Sequence, residues 1–464
     1  MPGYTVNTPS LGPIVGHTDH QHSRLFLRGE GAPGDRLFAV VRCRVRGSTA
    51  WGAPVFNKLS PTFDLTGVCV LNQLAAATAY EVQAGWFSAP QLELAELGPT
   101  TQLDWGHAAT ASLRTCSATA AARSYVVGSC RYLLRLLGHN WFDDRGDKVF
   151  RSVREQVAAG RPIDALLMIG DQIYADDLGG LSPDDKLSEF LKRYRAAFGQ
   201  EHLRALMASV PTYMLLDDHE IENDWPSKAT AQDQLVLYPR AMHAYQIYQC
   251  SHSPLFNATP EGRIEGQLEK YWYEFSDGTA DWFMLDTRTE RRAGSGQMLG
   301  ARQMQKLREW LLDGSGRIKF IVSGVPMFPD LGSEGADKWG GFPGQRKEIL
   351  DLVFEHQIPR VVMLSGDVHC SFSCYLERED KPGFVVHGVV ASPFFWPYPH
   401  MARRDFLFDR ELAQTGSNVY TTRALSACYF EDNFCRLDVG DDGSLRVAVH
   451  ERKGALLGTP VRLF

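Results

Sequence analysis

Four stretches of the chain end an apolar run in a tight cluster of side chains able to bind metals or move protons. They read Tyr125-Val126-Val127-Gly128-Ser129-Cys130, then Leu166-Leu167-Met168-Ile169-Gly170-Asp171-Gln172-Ile173-Tyr174, then Tyr213-Met214-Leu215-Leu216-Asp217-Asp218-His219-Glu220, and finally Val361-Val362-Met363-Leu364-Ser365-Gly366-Asp367-Val368-His369. Short apolar runs bounded by Gly or Asp read as buried strands. Ligands at the carboxyl ends of several such strands converge in the crevice where α/β sheets place their sites. One junction of this kind is common; four with compatible chemistry point to a polynuclear metal hydrolase.

Each cluster has a functional and a bland reading. The two oxygens of Asp171 can bridge two cations, and one turn of chain can bring the Tyr174 phenol to the same metal. Taken alone, an Asp capping the next helix and a Tyr packed in the core is the commoner arrangement. Asp176 and Asp177 lie beyond that turn and are expected to face solvent. Asp217-Asp218-His219-Glu220 is denser, and burying so much negative charge without cations is costly, so the cluster is either solvated or metal-bound. Asp218 is the candidate ligand. His219 is the candidate acid or donor to a developing oxyanion, with Glu220 as its orienting partner. Asn223 adds a carboxamide that can contact substrate. Asp367 and His369, two residues apart, point the same way on an extended strand. Cys130 reads as a small buried hydrophobe on its own and as a thiolate ligand beside cations. Arg131 next to it can contact an anionic substrate. Arg288, in Leu285-Asp286-Thr287-Arg288, is either a guanidinium fork for phosphate or a structural ion pair, in equal balance. The donor set is unlike the paired Cys and His of structural zinc sites, and His-Glu-x-x-His is missing.

The elements that position these residues follow from patterning. At 464 residues the chain exceeds one small core, and two domains are expected. Residues 1–118 read as a β-sandwich accessory domain. Val41, Cys43 and Val45 alternate with Arg42, Arg44 and Arg46, and Tyr80 to Trp86 repeat the pattern, as in half-solvated strands. With shorter runs at 25–27, 63–71, 92–97 and 108–113, this predicts an immunoglobulin-like or fibronectin-like sandwich of six or seven strands. The three arginines are expected to be a solvated strand face. Residues 119–464 alternate strands with helices, the α/β signature. Helices are expected over 148–159, 234–249, 303–312 and 345–356. Another should start at Ser182-Pro183-Asp184-Asp185 and stop at Gly199. Further strands are expected at 282–285, 318–322 and 384–390, with a terminal hairpin over 434–449. The Gly- and Pro-rich stretch 327–343, with Asp330, Lys338 and Trp339, reads as an ordered surface loop.

Composition sets outer limits. Hydrophobic content of 44% and charged content of 22% describe a globular chain. A net charge of −7 argues against nucleic-acid binding by overall field, yet bound cations can reverse the local potential for a phosphate substrate. Nine irregularly spaced cysteines do not form a disulfide framework. No run reaches the roughly 18 apolar residues of a bilayer span, and no signal segment opens the chain, so a cytoplasmic location is the default expectation.

Gly-Ser-Cys, Gly-Asp-x-Ile-Tyr, Asp-Asp-His-Glu with a following Asn, Leu-Asp-Thr-Arg and Ser-Gly-Asp-Val-His occur in that order. Over roughly residues 124–393 the chain thereby resembles the PhoD-like alkaline phosphatases. These belong to the calcineurin-like metallophosphoesterase superfamily and are related to purple acid phosphatases. The resemblance implies an αββα sandwich of two mixed sheets and a site of ferric iron plus calcium, other divalent cations being an alternative, acting on phosphodiesters and phosphomonoesters. It also implies that Cys130, Asp171 and Tyr174 hold the iron, with Asp171 bridging to calcium and Asp218, Asp367 and His369 as further ligands. The sequence departs from that pattern in three places: it shows no twin-arginine signal, no His near Ser323-Gly324-Val325-Pro326, and Asp224 where a second Asn is expected. The leading expectation is a metal-dependent phosphoester hydrolase in which cations acidify a water for in-line attack on phosphorus. The alternative is a catalytically silent metal- or phosphate-binding protein of the same fold.

Overall fold

The computed structural model describes residues 3–32, 34–133, 135–136, 139–140, 145–177, 183–332, 335–413 and 415–464. Strict alternation along the central strands gives each one two buried faces. Tyr125 and Val127 of Arg123–Gly128 point into one core while Val126 points into another; Leu167 and its neighbours Leu166 and Met168 divide in the same way. A strand buried on both faces must lie between two layers, and the sheets obey this.

The first sheet has six strands, in the order Thr212–Met214, Ala165–Met168, Arg123–Gly128, Asn433–Val439, Leu445–Glu451 and Leu456–Arg462. The second has seven: Tyr273–Asp277, Ala280–Met284, Ile318–Ser323, Val361–Ser365, Val385–Val390, Phe372–Arg378 and Tyr420–Ala424. Both mix parallel and antiparallel pairs. Their facing sides share one core, in which Trp282 stacks on Phe320 at 4.1 Å. Helices Arg145–Ala158, Leu187–Phe198, Glu201–Met207 and Tyr238–Tyr245 cover the outer face of the first sheet. Helices Ala301–Leu311 and Pro343–Glu355 cover that of the second. The layering is the expected αββα sandwich.

Five of the expected helices are present with shifted ends. Ser182 lies outside the described residues, and the helix begins at Leu187 because the Glu189 carboxylate accepts the N–H groups of Asp185 and Lys186 at 3.1 and 3.2 Å. Gly199 follows its last turn. The helix expected over 234–249 is an α-helical turn, Tyr238–Tyr245, between π-helical ends at Asp233–Leu237 and Gln246–Cys250. All nine cysteines are free. Among the described residues no helix is long and apolar enough to cross a membrane.

The amino-terminal strands form a three-stranded sheet, Leu11–Thr18, Ser23–Arg28 and Thr66–Leu71, facing a four-stranded one, Val55–Leu59, Leu37–Val45, Ala79–Ser88 and Ala109–Arg114. Two expectations are corrected. The stretch 92–97 holds a 3-10 turn, Leu94–Glu96, and the strand Leu11–Thr18 was not foreseen. Its Gly and Pro masked the alternation. Arg42 and Arg44 do lie on a partly open face, stacked over Trp51 at 4.8 and 4.4 Å.

The three-stranded sheet is buried on both sides. Val15, Leu25 and Leu27 face the sandwich interior, whereas Leu11, Ile14, Phe26, Val68 and Val70 belong to the main helical core. Asp64, on the turn between sandwich strands, accepts from Arg195 at 2.6 and 2.7 Å and pairs with Arg28. The Arg204 side chain donates to the carbonyls of Pro9 and Gly12. Each of the five apolar side chains contributes roughly 1.5–3 kcal/mol by burial. Removing residues 1–118 is therefore expected to aggregate the remainder or lower its melting temperature by at least about 10 °C. Equal melting of truncated and full chains in calorimetry would show that this face adds no stability.

Candidate metal centre

The four clusters sit at the carboxyl ends of parallel strands from both sheets. Arg123–Gly128, Ala165–Met168 and Thr212–Met214 run parallel in the first sheet, and Ala280–Met284, Ile318–Ser323 and Val361–Ser365 in the second. At that edge the sheets touch: the Asp367 N–H donates to the Ser129 hydroxyl at 3.3 Å. A Cβ on Gly366 would lie 2.3 Å from that hydroxyl oxygen, so only glycine fits. Gly170, at φ 118°, is held against Asp217, whose Cβ would lie 2.8 Å from an added Cβ. Cys130, Asp171, Asp367 and His369 all adopt left-handed backbone, with φ of 54°, 56°, 72° and 48°. Non-glycine residues take this conformation rarely and at a cost, and it clusters at functional sites. Here it turns each chain sharply out of its strand and aims the side chain at the cleft.

Oxygens of Asp171, Asp217, Asp218 and Asp367 lie within 4.8 Å of one another, and Asp171, Asp218 and His219 form an overlapping group of the same size. Burial raises the carboxyls of Asp171 and Asp217, and neighbouring carboxylates add to it; Asp217 is pushed up to about 7. Asp218 is the exception. Burial opposes its charge, but Arg288 and His219 outweigh it and hold the carboxyl well below its usual range. Asp217 Oδ2 is buried without a hydrogen bond, while Asp218 Oδ1 and Asp367 Oδ2 have only ion-pair contacts. The Cys130 sulfur and the Tyr174 hydroxyl each lie 3.4 Å from the same oxygen, Asp171 Oδ2. Burial, with the Asp171 charge, holds both protons on strongly. Clustered hard oxygens with open valences, joined by a thiol and a phenol around one shared carboxylate, fit cations. Of the sequence candidates, Cys130, Asp171, Tyr174, Asp218, His219 and Asp367 converge here.

His369 and Asn223 line the same cleft, a cavity of about 760 Å³. The His369 ring stacks on Trp396 at 3.7 Å and falls outside the tight carboxylate groups. His219 is anchored differently from expectation. Its Nδ1 lies 2.9 Å from Asp176 Oδ1, and Asp176 is only 5% exposed rather than solvent-facing. Asp177 is buried as well. Burial opposes a charge on His219, yet Asp218, Asp176 and Asp171 outweigh it and raise its pKa well above the ordinary value. With Nδ1 donating to Asp176, only the imidazolium can also donate from Nε2. Glu220 does not orient the ring. Its carboxylate accepts the backbone N–H groups of Gln172 at 2.6 Å, Asp217 at 3.0 Å and Asp171 at 3.3 Å, tying two strand ends together.

Both arginines assigned to substrate are used elsewhere. Arg131 donates to Gln200 Oε1 and to the carbonyl of Ala197, each at 2.8 Å. It caps the end of Leu187–Phe198, where carbonyls lack helical partners, and faces away from the cleft. Arg288 is fully buried beneath the site. Its Nε donates to Asp217 at 2.5 Å and its Nη1 to Asp337 at 3.0 Å, with Nη2 3.3 Å from Asp218. Of the two readings, the structural ion network holds. Lys338 is the residue that sequence reasoning missed: its Nζ lies 2.5 Å from Asp367 and 3.2 Å from Asp337. The segment expected as a surface loop instead buries Asp337, Lys338 and Trp339. A Trp beside a Lys and an Asp in a Gly-rich stretch was the available signal.

A two-sheet αββα sandwich with carboxylates gathered at the strand ends is the metallophosphoesterase class. Residues 133–398 match the profile of the family described as PhoD-like phosphatase, and the chain belongs to that family. Alkaline phosphatase D of Bacillus subtilis (strain 168) is 27% identical over 233 residues, covering 44% of this chain and 39% of that protein. The matched region is thus well under half of that relative's length. A solved structure of PhoD superimposes with a TM-score of 0.69 at 16% identity, over 100% of this chain and 94% of the other. A purple acid phosphatase, PPD1 from yellow lupin (Lupinus luteus) seeds, gives 0.60 at 12% identity, over 98% and 74%. At these identities the two structures speak to the fold.

Replacing Arg288 by Met would leave Asp217, Asp218 and Asp337 buried without their shared cation. Breaking such a network costs about 3–5 kcal/mol, so urea denaturation of Arg288→Met should show a loss of that order. An unchanged midpoint with a raised KM for phosphoesters would instead make Arg288 a substrate anchor.

Proposed function

We propose that this chain is a metal-dependent phosphoester hydrolase acting on phosphodiesters, phosphomonoesters or both. The observation that carries the reading is the convergence of four carboxylates from two sheets within 4.8 Å, in a chain of the PhoD-like family. On this reading Cys130, Asp171 and Tyr174 hold a ferric ion, and Asp171, Asp218 and Asp367 hold calcium or a similar hard divalent cation, with His369 at the rim. When bound, these cations neutralise phosphoryl oxygens and acidify water.

The protein's own groups do the rest. Asp176 fixes the imidazole of His219 so that Nε2 faces the cleft as a proton donor to the leaving oxygen or to charge developing on phosphorus. Lys338 balances Asp367, and Asn223 offers an amide to the substrate's phosphoryl oxygens. The Trp396 and His369 stack walls one side, limiting water and shaping the space for the alcohol portion. The catalytic unit is assigned to residues 119–464, and residues 1–118 act as the accessory sandwich that covers its helical face. A silent protein of the same fold would have no need of all these donors in register.

Two experiments test this. In elemental analysis Asp171→Asn should lose most bound metal and, with it, hydrolysis of bis-p-nitrophenyl phosphate and p-nitrophenyl phosphate. His219→Ala should keep its metal and lose about 10²-fold in kcat. Full metal content and ordinary turnover in Asp171→Asn would overturn the shared-carboxylate site. In the visible spectrum, a phenolate bound to ferric iron gives a charge-transfer band, which Tyr174→Phe should shift or abolish. An active, iron-free, colourless protein would remove iron from the assignment and leave the hydrolase reading intact.

A further inference from the structure

A second groove of about 760 Å³ adjoins the metal-centre cleft, and the two share Ser227 and Ala293 as common walls. Its floor is Trp225 stacked on Tyr238, with ring centroids 5.2 Å apart and planes 2° from parallel. The two grooves differ sharply in charge. Five aspartates line the cleft, whereas neither aspartate nor glutamate lines the second groove, which carries Arg291 and Arg292. In a chain of net charge −7, an acid-free basic groove running off a carboxylate site is a specific arrangement.

The two arginines are not equivalent. Arg291 is fully buried and is held by Asp337 and the Thr287 carbonyl. Arg292 is exposed, and among the described residues no ion pair holds it. Its Nη1 is fixed by main-chain carbonyls alone, those of Arg291 at 2.8 Å and Thr289 at 3.3 Å. Carbonyls orient a guanidinium without neutralising it, so its charge and its other N–H groups remain available to a ligand. A guanidinium matches the paired oxygens of phosphate or carboxylate.

We propose that this groove is a second anion subsite, in which Arg292 binds a phosphate or carboxylate carried on the alcohol portion of the ester. The inference rests on the phosphoesterase reading. With the scissile phosphate among the carboxylates, the alcohol portion passes Ser227 and Ala293, lies over the flat aromatic floor, and places its distal charge at Arg292. The preferred substrates are then esters with two separated anionic groups, and Arg292 is a specificity-determining residue that takes no part in bond breaking.

The test uses the full-length protein with its metals. Isothermal titration compares propyl phosphate, which bears one anion, with alkanediol bisphosphates and ω-phosphoalkanoates of increasing spacer length. At the best spacer a dianionic ligand should bind about tenfold tighter than propyl phosphate, the worth of one charge-assisted contact. The more favourable of the two series identifies the distal anion as phosphate or carboxylate. Arg292→Ala should abolish the preference, Arg292→Lys should restore part of it, and turnover of bis-p-nitrophenyl phosphate should stay unchanged in both. If no spacer gives a preference, or if Arg292→Ala retains it, the subsite is wrong. If the preference depends on Arg292 in a protein that cleaves no ester, the subsite stands and the hydrolase reading falls.

Discussion

Everything at the carboxyl edge of the two sheets depends on one buried cation. The Arg288 guanidinium is fully enclosed and shared among Asp217, Asp218 and Asp337, which come from three separate segments. Desolvating this many charges is tolerable only when they compensate one another in good geometry. Arg288 supplies that compensation from below, and so leaves the upper oxygens of Asp218 and its neighbours open to the cleft. The floor of the site is a salt network and its roof is a set of donors with unused valences. Asp217 belongs wholly to the floor, although it stands next to the ligand candidate Asp218 in the sequence.

Around this network the backbone is pinned at several points. Glu220 gathers three amide N–H groups from two strand ends, and Ser129 joins the first sheet to the loop of Asp367. These bonds hold Cys130, Asp171, Asp367 and His369 in left-handed conformations that an isolated chain would leave. The amino-terminal sandwich contributes further out. Its smaller sheet closes the helical core that backs the first sheet, linking the accessory region to the rigidity of the site.

The amino-acid order determined the strand-end clusters, the two-layer α/β arrangement and most helices, because strand and helix periods are local properties of the chain. It also identified the ligand candidates, since few contexts place Asp, His and Cys directly after buried strands. Partner choice was decided by tertiary structure. His219 is held by Asp176, which lies 43 positions away, and not by the adjacent Glu220. Arg131, beside Cys130 in sequence, turns to a helix end, because a side chain one residue on from a strand terminus points to the opposite side. Lys338 reaches the carboxylates from a stretch with no periodic pattern, so no local signal placed it. Which residue types the site contains was therefore written in sequence. Which of them face substrate and which neutralise the floor was fixed only when two sheets and a loop met, because charge compensation depends on distances between segments remote along the chain.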